Sequence, residues 1–263
     1  YFTMDKIKYN KLFPPSRGVN FSKLRINDDC VSFVTPPKEA KLIASKALEH
    51  IKKYKSSIDD VTVVDATACM GGDTIALCEL FSNVIAIEID SERFENLNNN
   101  LAQYNYRNVQ TINGNSLHVL PTLFNIDIIV LDVPWGGKDY KSKKNLRLMF
   151  DNLELEDFIL RCFSNSFAAY QPKIIISKMP KNYDIKYMHD LLSPMLTITL
   201  YEAGKMNIYV IEKRDDPVIK IDKFINSRVL LCDRMSVIKN MTNDIVCSAI
   251  NNACDNICNK INS

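Results

Sequence analysis

Hydrophobic positions in the middle of the chain form short, β-branched runs that alternate with stretches of helical periodicity. Short buried strands separated by helices are typical of a parallel sheet with helices on both faces. The pattern therefore predicts an α/β fold with a mostly parallel, seven-stranded sheet. The predicted strands are residues 61–65, 83–89, 109–112, 126–132, 173–177, 196–201 and 207–212.

The helical stretches have recognisable start signals. Thr35 and Pro36 predict the start of the first long helix, with threonine as the N-cap and proline at the first helical position. Apolar residues then recur at helical spacing to about Tyr54. A turn at Gly204 joins the last two predicted strands, so we expect a hairpin that gives the sheet an antiparallel edge strand. The remaining helices are predicted over residues 73–81, 92–104, 155–169 and 185–192.

The α/β pattern occupies only part of the chain. We predict three segments: an N-terminal extension over residues 1–34, the α/β domain over 35–212 and a helical C-terminal appendage over 213–263. In the appendage, Cys247, Cys254 and Cys258 share one helical face. We interpret them as small apolar residues that pack against the domain or a protein partner.

Composition excludes several classes of protein. A formal net charge of +2 over 263 residues excludes a generally cationic nucleic-acid coat. No apolar run reaches the ~18 residues of a membrane span, and no signal peptide opens the chain. Eight scattered cysteines and three histidines indicate a reducing compartment and no metal site. We therefore expect an intracellular monomer, in the nucleus or cytoplasm, with no membrane contact.

Five of the seven glycines lie in loops that follow predicted strands. Ligands of parallel sheets bind at this carboxyl edge. The first loop, Asp65–Thr74, has glycines that let the backbone approach a ligand, and the next helix start presents free N–H groups to an anion. It matches neither the dinucleotide fingerprint nor the P-loop.

Polar residues also follow the second and third predicted strands. Glu88 and Asp90 are placed to accept ribose hydroxyls, and Asn115 with Ser116 can meet an adenine edge. Three such loops in register predict a nucleoside pocket without a phosphate-binding lysine, which suits S-adenosylmethionine better than a dinucleotide. The alternative is a sheet whose glycines only serve tight turns.

The fourth loop carries the most specific motif, DVPWGGKDY at residues 132–140. Pro134 favours an extended Val133, so the Asp132 and Val133 carbonyls and the Asp132 side chain can accept hydrogen bonds from an exocyclic amine. Trp135, the only tryptophan, offers a stacking surface that a cationic base such as 7-methylguanine would bind more strongly. Alternatively, Trp135 is a partly buried aromatic residue that closes the end of the sheet.

Basic residues follow this motif closely. They are interpreted as contacts for a phosphate chain, although a solvated face is the alternative. The cluster comprises Lys138, Lys141, Lys143, Lys144 and Arg147, and a weaker one near the start comprises Lys6, Lys8, Lys11 and Arg17.

These motifs resemble the trimethylguanosine synthase family, which methylates guanine-N2 of 7-methylguanosine RNA caps. The family's SPPWGGPxY loop is matched at Trp135, Gly136, Gly137 and Tyr140. Its DAFCGxGGNT loop is matched by residues 65–74, its IDID by 87–90, and its aromatic-Ser-Val-Thr-Pro stretch by 31–36. The similarity runs from about Lys8 to Ile211.

The resemblance implies a class I, Rossmann-like methyltransferase that uses S-adenosylmethionine and stacks Trp135 on the methylated guanine. It also implies that residues 8–25 fold over the pocket and contact RNA-cap phosphates. With the loop analysis it assigns catalysis to Asp132, Pro134 and Trp135. The substrate residues assigned are Trp135, Gly136, Tyr140, Lys138, Lys8, Arg17 and Asn99. The cofactor residues assigned are Thr35, Asp65, Ala66, Gly71, Gly72, Thr74, Glu88, Asp90, Asn115, Ser116 and Asp132.

Several positions depart from the family pattern. Asp73 replaces an asparagine, Asp132 a serine and Val133 a proline, and Asn115 stands where many methyltransferases have an acidic residue. Asp132 moves the motif towards the D-P-P-[YFW] type of adenine-N6 and other amino-methyltransferases. The expected function is methylation of guanine-N2 in 7-methylguanosine-capped RNA. The alternatives are an exocyclic-amine methyltransferase on RNA or DNA and a non-catalytic cap-binding protein.

Overall fold

A seven-stranded β-sheet forms the centre of the structure, a computed structural model that describes residues 11–165, 171–215 and 217–227. Two further strands of two residues each form a separate small hairpin. The strands are β1 Thr62–Asp65, β2 Asn83–Glu88, β3 Val109–Asn113, β4 Ile128–Leu131, β5 Met149–Phe150, β6 Leu153–Glu154, β7 Ile174–Pro180, β8 Leu196–Ala203 and β9 Met206–Lys213.

The strand order is β3-β2-β1-β4-β7-β9-β8, and the first five strands are parallel. The predicted mostly parallel, seven-stranded α/β sheet is therefore confirmed. The predicted hairpin is present, but the strand that runs antiparallel to β7 is β9, one position in from the edge. The reason is burial: residues 208–212 of β9 are buried, whereas in β8 only Leu196 and Ala203 are buried, so β8 can form the edge.

Helices connect the strands. The predicted start of the first helix is wrong in detail, since Pro37 is its first residue, Pro36 is the N-cap, and the Thr35 hydroxyl bonds elsewhere. Three features escaped prediction because they are too short to show periodicity, namely β5, β6 and the four-residue helix Ser116–Val119. The helices are α1 Pro37–Ile51, α2 Gly72–Cys78, α3 Ser91–Tyr104, α4 Ser116–Val119, α5 Leu155–Cys162 and α6 Ile185–Leu192.

Two apolar clusters stabilise this arrangement. In the first, α1 packs against the strands through Ile43 and Ile51, among others, and both side chains are fully buried. In the second, residues that precede α1 pack with α3 and the loop after β1. Phe13 is fully buried there, and the Tyr104 hydroxyl donates to the Pro14 carbonyl at 2.6 Å. The segment 11–34 thus contributes four buried apolar side chains to the domain's core, those of Phe13, Leu24, Cys30 and Val34.

The chain divides between Ile219 and Lys220 into two compact units. In the second unit the described part is residues 220–227, of which 221–227 are helical. Cys247, Cys254 and Cys258 lie outside the described residues, so their packing role stays a prediction. Across the described ranges, no helix is both long and apolar enough to cross a bilayer.

Candidate active site

The loop between β1 and α2 closes around Asp65, the last residue of β1. One carboxylate oxygen accepts from the Thr74 hydroxyl at 2.6 Å, and the other accepts from the Thr67 amide at 3.3 Å. Burial raises the pKa of Asp65 to about 7, and the nearby Asp73 adds to the rise. Asp65 therefore stabilises the conformation of this loop through its hydrogen bonds to Thr67 and Thr74.

Two glycines begin α2. Gly71 has φ +95°, a left-handed conformation that L side chains rarely adopt. A Cβ atom on Gly72 would lie 2.9 Å from Val34 Cγ1 and 3.0 Å from the Thr35 carbonyl oxygen. We expected both glycines to make room for a ligand, but the close neighbour that requires glycine at position 72 is the chain's own segment before α1.

The loops after β2 and β3 are bonded to the loop after β1. Glu88 accepts from the Cys69 amide at 2.8 Å and from the Asp90 amide at 2.9 Å, while Asp90 caps α3. The Ser116 hydroxyl donates to the Ala66 carbonyl at 2.6 Å. The three predicted loops thus lie together at the carboxyl edge.

Asn115 lies at the rim of the same edge. Its Oδ1 accepts from the Leu117 amide at 2.9 Å and caps α4, and its Nδ2 donates to Asp151 at 3.3 Å. The side-chain amide therefore reaches towards the segment between β5 and β6. Its contact with an adenine stays a prediction.

The DVPWGGKDY loop continues this edge after β4. The Asp132 amide donates to the Thr67 hydroxyl at 2.8 Å, which binds the loop to that of β1. Trp135 is half-buried and meets the Tyr140 ring edge-on, with ring centroids 5.2 Å apart and an interplanar angle of 72°. Its Nε1 atom is buried and has no hydrogen-bond partner among the described residues.

Asn182, which follows β7, anchors the far side of this loop. Its Nδ2 donates to the Tyr140 carbonyl at 2.7 Å and to the Lys143 carbonyl at 2.8 Å. Sequence reasoning missed Asn182, because a polar residue just past a strand gives no sign of its distant partners. This anchor fixes the position of the Tyr140 backbone and hence of the ring that supports Trp135.

A buried ion-pair cluster lies beneath the loop. Lys178 of β7 is 3% exposed, and its Nζ lies 2.5 Å from Asp132 Oδ2 and 3.3 Å from Asp73 Oδ2. Nζ also donates to the Thr35 hydroxyl, which donates in turn to Asp73 Oδ2 at 2.6 Å. Asp73 and Asp132, two acidic departures from the family pattern, thus share one lysine.

The charges in this cluster are strongly perturbed. Burial raises the pKa of Asp132 to about 6, against the attraction of Lys178 and with a further rise from Asp73. Burial lowers the pKa of Lys178, but the carboxylates of Asp132 and Asp73 outweigh it, and the net shift is upward. Lys178 was not predicted as a site residue, although a lysine inside the apolar run of β7 was the available signal.

Other predicted site residues have different surroundings. Asn99 donates to the Lys23 carbonyl at 2.8 Å, so its amide binds the N-terminal segment to α3. Arg147 pairs with Glu154 at 2.9 Å and lies 3.1 Å above the Tyr187 ring, which withdraws it from the predicted phosphate cluster. The Lys138 side chain and Lys8 lie outside the described residues.

The hydrogen-bonding groups at this edge could hold S-adenosylmethionine. Asp73 Oδ1 is buried and has no hydrogen-bond partner among the described residues, so it can accept from a ligand's ammonium group. Pro134 and Gly136 are exposed beside Trp135 at the same edge. Among the described residues, no group of three or more His, Cys, Asp or Glu side chains could hold a metal ion.

Comparison with known proteins decides the family. Residues 61–215 match the family described as RNA cap guanine-N2 methyltransferase. The chain belongs to this family. This confirms the predicted family and, with it, a methyltransferase that uses S-adenosylmethionine. An uncharacterized protein of Acanthamoeba polyphaga mimivirus is 30% identical over 220 residues, covering 77% of this chain and 84% of that protein.

Several solved methyltransferase structures are similar to this chain at low sequence identity and with TM-scores below 0.5. An rRNA methylase from Streptococcus thermophilus is 16% identical with a TM-score of 0.43, covering 68% of this chain and 98% of that one. A methyltransferase from Geobacter sulfurreducens is 14% identical with a TM-score of 0.45, covering 68% of this chain and 80% of that one. We draw nothing about the substrate from these likenesses.

Proposed function

We propose that this methyltransferase transfers a methyl group from S-adenosylmethionine to guanine-N2 of a 7-methylguanosine RNA cap. The observation that carries the proposal is the position of Trp135, three residues after Asp132, beside the linked loops of β1, β2 and β3. A stacking surface and a carboxylate are thereby held next to the predicted cofactor loops. The family match supports the same substrate.

The cofactor would lie across the three linked loops. Glu88 and Asp90 would face its ribose, Asn115 and Ser116 its adenine, and Asp73 Oδ1 its ammonium group. When bound, S-adenosylmethionine supplies a methyl group on a positively charged sulfonium. Asp65, Ala66, Gly71 and Thr74 would shape the loop beneath it.

Trp135 would bind the base. An aromatic side chain contributes about 1–3 kcal/mol per stacked base, and a cationic base gains additional attraction to the indole. The edge-on contact with Tyr140 restricts the ring before substrate arrives, which lowers the entropy lost on binding. These properties favour 7-methylguanine over an uncharged base.

Asp132 would orient the exocyclic amine. Its side chain retains 21% exposure, so it faces the pocket as well as Lys178. The amine lone pair forms the new N–C bond as the S–C electron pair returns to sulfur, and the surplus N–H proton passes to water. No dedicated base is needed, since the amine loses this proton during or after transfer. Most of the acceleration would come from alignment of the two reactants, which can supply about 7–11 kcal/mol.

Exposed basic side chains would contact the phosphate chain. Lys141, Lys143 and Lys144 are exposed just beyond Trp135, and Arg17 is exposed in the N-terminal segment. Phosphate contacts of this kind give affinity that falls with salt. Lys8 and Lys138 belong to the same proposal.

The decisive experiment is incubation with S-adenosylmethionine and a 7-methylguanosine cap dinucleotide, followed by mass spectrometry. We expect a gain of one or two methyl masses that an unmethylated cap does not show. Methylation of adenine oligonucleotides instead would replace the proposal with the exocyclic-amine alternative, which Asp132 in the D-P-P-like position favours.

A binding experiment addresses the non-catalytic alternative. Calorimetric titration with S-adenosylhomocysteine should show saturable binding if the three linked loops form the proposed cofactor site. Absence of binding, together with quenching of Trp135 fluorescence by the cap, would indicate a cap-binding protein. Light scattering would test the predicted monomer, and the intracellular location stays a prediction.

A further inference from the structure

Lys178 is the only lysine among the buried side chains of the described residues. It lies on β7, next to β4 in the sheet, and its ammonium group reaches Oδ2 of Asp132 just beyond the end of β4. Burying a lysine is costly unless its charge is paired and its donors are bonded. The three contacts of Nζ, with Asp132, Asp73 and Thr35, meet both conditions.

We propose that Lys178 is a positioning residue for methyl transfer: it holds Oδ2 of Asp132, so that the carboxylate stays ionised and its other oxygen accepts the substrate amine. This inference rests on the proposed function, because it concerns the same amine. It adds a residue on β7 to a site otherwise built from the loops of β1 to β4.

The geometry restricts Lys178 from two sides. Asp73 at the start of α2 and Thr35 before α1 hold Nζ, and their own contact of 2.6 Å fixes them to each other. The Lys178 ammonium group therefore cannot move with the Asp132 carboxylate if the Asp132 side chain changes rotamer. The result is a fixed carboxylate orientation, which transition-state alignment requires.

The charge balance explains why a cation is needed. Asp132 is faced by Lys178 from β7 and by Asp73 from α2, and Asp65 at the end of β1 interacts with Asp73. Two carboxylates thus contact one ammonium group, and a third, that of Asp65, lies close enough to interact with it electrostatically. Without Lys178, desolvation and Asp73 would act unopposed, and the pKa of Asp132 would rise further.

Protonation would remove the proposed role of Asp132. A neutral carboxyl group is a weaker acceptor and cannot stabilise positive charge that develops on the amine. The methylation rate should therefore fall on the acid side, with the limb near the Asp132 pKa of about 6. Removal of Lys178 should move that limb to higher pH.

The test compares Lys178→Met and Lys178→Arg with the wild-type chain, using cap dinucleotide methylation across acid and alkaline pH. For Lys178→Met we expect the acid limb of kcat to shift upward by about one pH unit or more, with about tenfold lower kcat on the acid side. KM for the cap should change less than about twofold, since Trp135 is untouched. Lys178→Arg should retain the wild-type limb.

Lys55→Met is the matched control. Lys55 pairs with the buried Asp127 at 2.7 Å at the opposite end of the strands. Its loss removes a lysine–aspartate pair of the same chemistry, yet the pH profile of kcat should remain that of the wild type. A shift in this control equal to that of Lys178→Met would overturn the inference.

Two further measurements keep the outcome clear. Lys178→Met combined with Asp132→Asn should have the kcat of Asp132→Asn alone, because both changes act through one carboxylate. If Lys178→Met does not fold, the acid limb of Lys178→Arg is compared with that of the wild type, and a displaced limb in this charge-retaining variant would contradict the inference. Multiplying effects, or a uniformly lower kcat with an unmoved acid limb, would reduce Lys178 to a structural role.

Failure of the proposed function would be visible separately. In that case the wild-type chain transfers no methyl group to the cap. The dependence of the unfolding midpoint on pH would then test the same ionisation. We expect Lys178→Met to move the pH region in which stability falls towards higher pH, and coincident wild-type and variant curves would contradict the inference.

Discussion

The two ends of the parallel strands use the same residue types differently. At the amino edge, Asp127 precedes β4, accepts from the Thr62 amide at 3.0 Å and pairs with the partly exposed Lys55. At the carboxyl edge, Asp73 and Asp132 share one buried lysine, and Asp65 lies close enough to Asp73 for that charge to raise its pKa. One edge has a matched pair with access to water, whereas the other has an excess of buried negative charge.

The comparison distinguishes charged groups that stabilise the fold from charged groups that are arranged for a ligand. Asp127 satisfies backbone and lysine donors at once and stabilises the start of two strands. At the carboxyl edge Asp73 Oδ1 has no partner among the described residues, and both Asp65 and Asp132 have raised pKa values. Perturbed carboxylates and unmet acceptors concentrate where a ligand can satisfy them. The four following experiments test that separation, from the largest effect to the smallest.

Replacing each of the two aspartates by alanine tests the difference between the two edges most directly. Asp132→Ala should lower kcat at least about 100-fold with little change in KM, since it removes charge stabilisation of the transition state. Asp127→Ala should leave kcat unchanged but cost about 2–3 kcal/mol of unfolding free energy, because two donors lose a charged acceptor. Steady-state kinetics and urea unfolding measure both. Equal kinetic loss in both variants would break the comparison.

Asn100 of α3 supports the carboxyl edge by joining the segment before α1 to the loop after β1. This fully buried amide accepts from the Arg25 amide and donates to the Arg25 and Met70 carbonyls, at 2.8, 2.9 and 3.1 Å. Asn100→Ala should cost about 2–3 kcal/mol in urea unfolding. The neighbouring Asn99→Ala should cost less than about 1 kcal/mol, because its bond to the Lys23 carbonyl is exposed and its bond to Asn100 Oδ1, at 3.2 Å, is only partly buried. A raised KM for the cap in Asn99→Ala would support its predicted substrate role.

Trp135 should separate binding from turnover. Trp135→Ala should raise KM for the capped substrate about tenfold, within the range for one lost base stack, while kcat changes less. Trp135→Phe should retain part of the stacking. In the wild-type chain, cap binding can be followed by quenching of the single tryptophan. Unchanged KM in Trp135→Ala would remove Trp135 from the substrate site.

The smallest effect concerns stability and pH. Asp65 and Asp132 have folded-state pKa values of about 7 and about 6, above the ordinary 3.8. The folded state therefore binds protons more tightly, so their contribution is complete below about pH 4 and is lost as pH rises to about 7. The unfolding midpoint should fall by a few degrees over that interval. Asp65→Asn should reduce the fall.

Much of the fold was predictable because the strands are apolar and the loops are polar. Residues 185–192 are helical as predicted, and the predicted strand positions correspond to the seven strands observed, with ends displaced by a few residues. The carboxyl-edge loops were also brought together as expected. These features are local, since they depend on periodicity and on the direction of parallel strands.

The supporting contacts were not predictable in the same way. Lys178 meets Asp73 across 105 positions and Thr35 across 143, and Asn182 meets Tyr140 across 42. Contacts between residues so far apart in the sequence produce no periodic pattern, and each residue taken alone looks like an ordinary polar position. Thr35 shows the limit most clearly, because its hydroxyl was expected to cap a helix and instead joins a buried ion-pair cluster.

The contact of Thr35 with that cluster also determines how short a working fragment can be. The family match begins at residue 61, but Thr35 and the segment packed on Gly72 come before it. A fragment cut at the match would lack α1 and would expose the lysine and two carboxylates to water. The region that matches the family is therefore shorter than the stretch of chain that builds the buried ion-pair cluster.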